Sequence, residues 1–526
     1  MLLPGSKLFE KIRGDARIML LLIVLTAAIV RVLFFTGITH SDDWGYSYDA
    51  YRILQGTYTF AIPTDLENFS GYFGNSPHLR YGLLFPIAGI YYLFGVTAFS
   101  SILYPLCASL GTLVLVYAIG KLICNEKTGL MAALLLSFYP ADVILATQLW
   151  PDIPSIFFST GAGYFLLNGE RTASHKCRAY YLAGLFTGLS YLVKENGIYV
   201  IFLVGIYCLF QRKDAKIRIT RFLLGLGPVL CGEALAYYFM TGDPLFRYHM
   251  TSIATAWYFR TFSPNYANVL IGIAKEFLTY LFSPIVFYHG MYFYVTLIAV
   301  FFCGVKIFQR ASFLLLWFSV VAFFAFYAGY VNATMAGRYT IYLIVPSILL
   351  IACFLGEMKL PRLYRGAIIG FLIVTALLSL IAHHARNKPV YNAQAGLAYF
   401  VQQDVKQPIF TDLRTRRMME HLLGYQPQFD FKLYSEKSLP GPCDCYLLIN
   451  WEILSQGLYH SALVLDPPPA AWKPVKIIKN PAQGFGVWST LKALLGTSVP
   501  GKEPTHRVTL ETQVERSKDA VIYYIP

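Results

Sequence analysis

The chain contains little charge for its length, and this scarcity decides its class. Only 14% of the 526 residues are Asp, Glu, Lys or Arg, whereas 56% are hydrophobic and the mean hydropathy is +0.51. Soluble globular domains carry about 25% charged residues. The composition therefore excludes an ordinary soluble protein and indicates a chain that crosses a membrane several times.

Cysteine is also scarce, with nine residues, most of them in apolar segments where a thiol behaves as a small hydrophobic group. No disulfide framework is expected. Cys443 and Cys445 are separated by a single residue, which is too close for an ordinary disulfide bridge. We expect a pair of strand residues, and binding of a metal or of a partner thiol is the alternative.

Several motifs are missing as well. The net charge is +14, but Lys and Arg occur in short runs between apolar segments, where they orient the chain in the membrane, and no nucleic-acid-reading motif accompanies them. We therefore expect no nucleic-acid partner. The sequence shows no internal repeat, and residues 385–526 contain no glycine-rich phosphate loop, zinc spacing or nucleophile elbow.

Long apolar segments predict a polytopic α-helical membrane protein with about eleven transmembrane helices, since a span needs about 20 residues. The first segment lacks a cleavage site, so we expect a retained span and not a signal peptide. The predicted windows are 18–38, 98–120, 128–147, 153–168, 179–193, 197–210, 219–240, 290–307, 312–331, 339–357 and 364–383.

Residues 82–95 are apolar but short and include Pro86, so we predict a helix lying in the interface within the first outer loop. A second interfacial helix is predicted at 268–282. This arrangement puts most loop Lys and Arg residues on one side, which places the N-terminus in the cytoplasm and the C-terminus outside. The outer loops keep seven basic residues, namely Arg52, Arg80, Lys194, Arg247, Arg260, Lys275 and Arg338.

The composition becomes more polar after His384. Residues 1–384 are therefore predicted to form the transmembrane domain, and residues 385–526 a small extracytoplasmic α/β domain. Within the latter, alternation and length predict a helix at 394–403, buried strands at 408–412 and 446–450, and edge strands at 475–479 and 484–488.

Acidic residues mark two places on the predicted outer side. Asp42 and Asp43 follow the first span, and Asp152 opens a later one. Adjacent carboxylates repel each other, so one of the pair should hold a raised pKa that suits a general base. Capping of a helix that begins near Trp44 is the alternative for the pair, and capping is also the alternative for Asp152.

Three basic residues lie on the same predicted side. Lys194, between two short spans, needs an anionic partner, either Glu195 beside it or a lipid phosphate. Arg80 precedes the interfacial helix, where anchoring is the alternative to ligand binding. Arg338 opens a span against the positive-inside trend and invites the same interpretation as Lys194.

The order and placement of these motifs resemble the C-type integral-membrane glycosyltransferases, and within them the group of protein O-mannosyltransferases and lipid A aminoarabinose transferases. The resemblance covers roughly residues 15–385. It is carried by Asp42-Asp43-x-x-Tyr46, by Arg80 before a segment ending Leu93-Phe94-Gly95, by Lys121 to Gly129, by Trp150-Pro151-Asp152, by Gly188 to Lys194 and by Arg338-Tyr339.

The resemblance implies a hexosyl- or pentosyltransferase that takes a sugar from a polyprenyl-phosphate donor in the bilayer. The acceptor would be a hydroxyl of a glycan, lipid or protein at the outer face, and the reaction would invert the sugar C1. No nucleotide cofactor is required, and a divalent cation is left open. We expect the prokaryotic plasma membrane as the location.

The resemblance also implies roles for individual residues. Asp42 corresponds to the catalytic base, with Asp43 where the family more often has Glu, and Asp152 to the second acidic position. The donor phosphate is assigned to Arg80, Lys194 and Arg338. Contacts to the acceptor or to the sugar are assigned to Tyr46, His78 and Tyr339.

Three other functions remain as alternatives. A flippase or transporter of a polyprenyl-linked sugar would be expected to carry polar or broken helices at mid-membrane and internal repeats. A scaffold that binds a partner through residues 385–526 would not need carboxylates together with cations. A transferase that moves a whole oligosaccharide would be expected to have a larger outer domain.

Overall fold

The computed structural model divides into two compact units, each built from separate stretches of chain. The first unit comprises residues 1–35, 59–86 and 103–380, and the second comprises residues 36–58, 87–102 and 381–526. The predicted domain boundary at residue 384 stays a prediction. The structure describes residues 15–35, 37–38, 42–59, 79–171, 176–210, 214–253, 271, 289, 291–306, 308–332, 340–357, 361–386, 390–433, 443–450, 472–479 and 520–526.

In the described part of the first 386 residues, apolar sequence folds into helices, because an α-helix satisfies its backbone groups within the segment. A helix coincides with every predicted span window and with the predicted interfacial segment 82–95. The helices are α1 (Ala16–Leu33), α2 (Asp43–Leu54), α3 (Tyr81–Phe94), α4 (Ala98–Ile123), α5 (Glu126–Ser137), α6 (Pro140–Ala146), α7 (Asp152–Arg171), α8 (Lys176–Val193), α9 (Tyr199–Phe210), α10 (Ala215–Thr241), α11 (Met291–Lys306), α12 (Phe308–Asn332), α13 (Ile344–Glu357) and α14 (Arg362–Arg386).

Five helical segments among the described residues are long and apolar enough to cross a membrane. They are α1, α4, α10, the segment Thr340–Glu357 that ends in α13, and residues 362–381 of α14. The pair α5 and α6, bent by 61°, makes a sixth if it counts as one broken span. The number of eleven spans therefore stays a prediction, as does the second interfacial helix, which apart from Ile271 lies outside the described residues.

A buried arginine supports the bend between α5 and α6. Arg31 of α1 is fully buried, pairs with Asp142 of α6, and donates from Nε to Ser109 Oγ at 2.8 Å. Its Nη1 also donates to the carbonyl oxygen of Ser137, the last residue of α5, at 3.4 Å. Carbonyl groups at a helix end lack intrahelical partners, so Arg31 satisfies one of them inside the core.

Glycine allows two helices of the first unit to approach closely. A Cβ added at Gly184 of α8 would overlap the carbonyl oxygen of Phe222 in α10, and one added at Gly225 would overlap that of Tyr181. Small residues at such contacts let backbones meet, which is how helices associate in a membrane. This contact holds α8, whose C-terminal end leads into Lys194.

The second unit contains a five-stranded sheet in the order β2-β1-β3-β5-β4. Its elements are α15 (Val390–Gln402), β1 (Ile409–Thr411), α16 (Leu413–Leu422), β2 (Phe431–Leu433), β3 (Cys445–Asn450), β4 (Lys473–Ile478) and β5 (Ala520–Ile525). Strand β1 is parallel to β2 and β3, whereas β5 is antiparallel to β3 and β4. Buried Phe400, Met419, Leu448 and Ile522 join the helices to the sheet.

The predicted helix at 394–403 corresponds to α15, and the predicted strands at 408–412, 446–450 and 475–479 correspond to β1, β3 and β4. Strand β4 lies at an edge, as predicted. The strand predicted at 484–488 lies outside the described residues. Strands β2 and β5 and helix α16 were not predicted from the sequence.

Cys443 and Cys445 form a disulfide bond, whereas the sequence favoured a pair of strand residues too close together for an ordinary bridge. Asp444 between them adopts a left-handed backbone conformation with φ 46°. This turn brings the two Cα atoms to 5.3 Å, which lies within the usual range for a disulfide, whereas a fully extended chain would separate them further.

Candidate functional site

The acidic pair lies at the start of α2 in the second unit. Asp42 is the N-cap residue and Asp43 the first helical residue, but the Asp42 side chain makes no capping hydrogen bond. Asp43 is fully buried, whereas Asp42 is partly exposed. The capping alternative is therefore not supported for Asp42, and the partly exposed carboxylate of the pair is the one predicted to act as the base.

Tyr46 follows in the same turn of α2 and is fully buried. The other two residues predicted to contact the acceptor or the sugar, His78 and Tyr339, lie outside the described residues, as does Arg338.

In the first unit, the structure brings two predicted site residues together. Lys194 is an ion-pair partner of Asp152, the first residue of α7, and the two side chains are 3% and 0% exposed. The partner of Lys194 is therefore Asp152, and not the neighbouring Glu195 that the sequence suggested. A buried ion pair of this kind is strongly coupled, since removing one partner leaves an uncompensated charge.

Hydroxyl groups hold the two helices that carry this pair. Ser155 of α7 and Ser190 of α8 have their Oγ atoms 2.9 Å apart, and Ser190 also donates to the Ser155 carbonyl oxygen at 2.8 Å. The ring of Tyr342 lies with its centroid 5.9 Å from Lys194 Nζ, within range of a cation–π interaction. The position of Lys194 is thus fixed by its ion pair with Asp152, by the Tyr342 ring and by the serine contacts between α7 and α8.

Arg80 belongs to a second charged cluster in the first unit. Its Nη2 lies 3.4 Å from Glu195 Oε2, and Arg247 donates to Oε1 of the same carboxylate at 3.0 Å. Arg247 also donates to Glu233 at 2.5 Å and stacks on the ring of Tyr191 at 4.6 Å. Two guanidinium groups and two carboxylates therefore share one cluster.

Arg247 and Glu233 were not predicted as site residues. Two signals were present in the sequence, because Arg247 is a basic residue on the predicted outer side and Glu233 is an acidic residue within apolar helix α10. Intramembrane carboxylates of this kind usually have a partner or a function. The sequence does not show that Arg247 and Glu233 are partners of each other.

The charges of this cluster determine the ionisation of Glu195. Burial acts to raise the pKa of its carboxyl group, but the nearby positive charges of Arg80 and Arg247 outweigh it and hold the pKa below its usual range. Arg80 and Glu195 remain 20% and 29% exposed, whereas Arg247 is 3% exposed. Arg80 is therefore the more accessible of the two cations.

Over the described part of the chain, no group of three or more His, Cys, Asp or Glu side chains is arranged to hold a metal ion. The participation of a divalent cation stays a prediction.

A family model described as dolichyl-phosphate-mannose-protein mannosyltransferase matches residues 82–232. The matched part runs from α3 into α10 and includes Asp152 and Lys194, but not the acidic pair. No curated protein sequence matches the chain.

Solved structures match over a larger part of the chain. ArnT from Cupriavidus metallidurans bound to undecaprenyl phosphate matches with a TM-score of 0.53 and 12% identity, covering 82% of this chain and 92% of ArnT. The oligosaccharyltransferase AglB from Archaeoglobus fulgidus, in complex with an inhibitory peptide and a dolichol-phosphate, also matches. Its TM-score is 0.50 and its sequence identity 13%, and the match covers 83% of this chain and 70% of AglB.

The chain spans 64% of the length of the same archaeal oligosaccharyltransferase in its apo form. The resemblance predicted from the sequence is confirmed: the chain is a membrane protein with the fold of the C-type integral-membrane glycosyltransferases, and it resembles the O-mannosyltransferase and ArnT group.

Proposed function

We propose that this membrane protein transfers a sugar from a polyprenyl-phosphate donor to a hydroxyl acceptor at the outer face of the membrane, with inversion at the sugar C1. The fold alone does not decide a reaction. The observation that carries the proposal is the acidic start of α2, where partly exposed Asp42 adjoins fully buried Asp43. Such a pair suits proton removal from an acceptor hydroxyl.

In this reaction the acceptor oxygen forms a bond to C1 as the bond from C1 to the phosphate oxygen breaks. The acceptor proton passes to a carboxylate, which we assign to Asp42 because it is the more exposed member of the pair. Repulsion from Asp43 disfavours two negative charges side by side, and this increases the readiness of the pair to accept a proton. The electron pair of the broken bond leaves on the phosphate.

The departing phosphate needs a cation. We assign the direct contact to Arg80, since its side chain is 20% exposed and that of Lys194 only 3%. Lys194 is engaged with Asp152, so we assign this pair to holding the ends of α7 and α8. Electrostatic stabilisation of a leaving group is often the largest single contribution to catalysis.

We retain the finer parts of the prediction as proposals. These are the prokaryotic plasma membrane, transfer of a hexose or pentose, an acceptor that is a glycan, lipid or protein, and no nucleotide cofactor. Repeating transfer after chelation of divalent ions tests the metal, because a metal-dependent enzyme would lose activity that added Mg²⁺ or Mn²⁺ restores.

The first test is transfer of radiolabelled sugar from a panel of polyprenyl-phosphate donors by the purified protein, with a cell-envelope extract as the acceptor. We expect Asp42→Asn to reduce transfer by about 10²–10⁴-fold, the usual contribution of a general base, while donor binding persists. Asp43→Asn tests the other member of the pair. Asp49→Asn is the matched control, since Asp49 lies on α2 and pairs with Arg52 at 3.7 Å.

The alternative, a flippase for the same class of lipid, predicts a different outcome. No transfer from any donor, combined with lipid movement across reconstituted vesicles that survives both Asp→Asn changes, would contradict the proposal. The described helices offer the alternative the broken pair α5 and α6 and polar groups within apolar helices, such as the Arg31–Asp142 pair and Glu233.

A further inference from the structure

A chain of hydrogen bonds crosses the second unit from helix α2 to helix α16. Ser47 Oγ of α2 lies 2.7 Å from the Tyr91 hydroxyl, which lies 2.7 Å from Ser101 Oγ, and Ser101 Oγ lies 3.1 Å from His421 Nε2. All four residues are buried, with exposures of 3% or less. Buried polar groups that satisfy one another in this way specify a unique arrangement.

Tyr425, three residues beyond the end of α16, makes a second connection to α2. Its hydroxyl donates to Ser47 Oγ at 3.0 Å, and its ring stacks on Tyr51 at a centroid distance of 4.7 Å. The backbone of Tyr425 is left-handed, with φ 62°. A bulky residue rarely adopts this conformation, so the surrounding contacts must stabilise it.

Arg417 of α16 contacts a further aromatic residue of α2, Tyr48. Its guanidinium group lies 3.5 Å from the centroid of the Tyr48 ring, and Nη1 donates to Glu420 at 3.0 Å. Glu420 therefore holds the Arg417 guanidinium over the Tyr48 ring, where a cation–π interaction attracts it to the ring face.

These contacts act on the same face of α2 as the buried acidic residue. Asp43, Ser47 and Tyr51 are spaced four residues apart, so their side chains follow one another along one side of the helix. His421 is buried, and burial lowers the pKa of its imidazole to about 4, so it is a neutral partner near pH 7. This side of α2 is therefore held by Tyr425 directly and by His421 through the Ser101 and Tyr91 hydroxyl groups.

We propose that helix α16 and Tyr425 are positioning elements for the acidic helix α2, with Tyr425 and His421 fixing the turn that carries Asp42 and Asp43. The proposal gives the C-terminal part of the chain a role in catalysis. Its catalytic consequence rests on the proposed transferase function, whereas the docking of α2 does not.

The experiment uses the full-length protein and two measurements. Amide hydrogen exchange over residues 43–54 reports the docking of α2, and steady-state transfer separates kcat from the KM for the donor. We expect Tyr425→Ala to accelerate exchange in α2 by about tenfold or more and to lower kcat similarly, with the donor KM unchanged. Tyr425→Phe keeps the ring and removes one hydrogen bond, so we expect roughly fivefold effects.

The matched control is Tyr524→Phe, which removes a tyrosine hydroxyl that donates to Asp444 at 2.8 Å in the same unit. It should leave exchange in α2 and kcat unchanged. His421→Ala should accelerate exchange in α2 as Tyr425→Ala does.

Unchanged exchange in α2 in both Tyr425→Phe and His421→Ala would overturn the proposal. Accelerated exchange in a protein whose wild type transfers no sugar would support the docking and overturn only the transferase function. If Tyr425→Ala does not fold, Tyr425→Phe still decides the outcome, because it keeps the stacked ring.

Discussion

The two units of this protein hold the helices that carry acidic residues in different ways. In the first unit, Asp142 forms a buried ion pair with Arg31, and Asp152 forms one with Lys194. In the second unit, the helix that carries Asp43 is held by hydroxyl groups, by stacked rings, by the Arg417 guanidinium on the Tyr48 ring and by a hydrogen-bond chain that ends at His421.

The difference follows from what each arrangement achieves. A carboxylate within apolar helices is costly unless a cation lies beside it, and the pair then holds two segments together. Hydroxyl and ring contacts instead orient a helix through side chains other than its carboxylates. We propose that such contacts position a helix whose carboxylate takes part in a reaction.

The largest expected effect comes from breaking a pair in the first unit. Lys194→Ala leaves Asp152 buried without its cation, and we expect a loss of about 3–5 kcal/mol of stability. The measurement is the unfolding temperature of the purified protein in detergent, where this loss should appear as a large decrease.

Two controls separate the loss of the pair from a general effect of substitution. The double change Asp152→Asn with Lys194→Met removes both charges and should recover much of the stability, since an apolar replacement of a buried pair is often close to neutral. Lys121→Ala breaks an exposed pair with Glu126 and should leave the unfolding temperature unchanged. Equal effects of Lys121→Ala and Lys194→Ala would contradict the comparison.

A smaller effect is expected at Arg80, which is the more exposed cation of the first unit's second cluster. Under the proposed function, Arg80→Ala would remove a charged contact to the donor phosphate, so we expect donor binding to weaken by about tenfold or more, the usual contribution of a hydrogen bond to a charged group. The measurement is the affinity for a polyprenyl phosphate in detergent micelles.

Lys121→Ala is again the control for Arg80→Ala, because it removes one positive charge elsewhere in the first unit. Donor binding that is unchanged in Arg80→Ala would assign the phosphate contact to other residues, with Arg338 as the next one to substitute.

The third effect appears only below neutral pH and concerns the neutral histidine of the second unit. The pKa of His421 is lowered by burial from 6.5 to about 4, so between these values the unfolded chain binds a proton that the folded chain does not. Stability is therefore fully present above about pH 6.5 and falls as the pH decreases toward 4, by at most about 1.4 kcal/mol per pH unit for this residue.

His421→Asn should reduce the pH dependence of the unfolding temperature between pH 6.5 and 4, whatever it does to the stability at neutral pH. His249→Asn is the control, since His249 is 53% exposed and pairs with Asp243 at the surface. A slope that is identical in wild type and His421→Asn would show that His421 is not buried in its neutral form.

Several features of the fold followed from the sequence because they depend on local pattern. The apolar windows predicted the helices, since an apolar segment satisfies its backbone by forming a helix. Alternation predicted β1, β3 and β4, and the order of short motifs predicted the glycosyltransferase resemblance. The positions of Asp42 and Asp43 at the start of α2 also followed from the sequence alone.

Other features depend on which segments meet in the fold. The partner of Lys194 lies 42 residues away, and that of Arg31 lies 111 residues away, so neither pair can be inferred from neighbouring residues. The left-handed turn at Asp444 and the contact of Tyr425 with Ser47 likewise depend on the packed chain.

The sequence determined which residues could carry charge and where helices form. The tertiary structure decided which charges neutralise each other, because burial makes each charge require a specific partner.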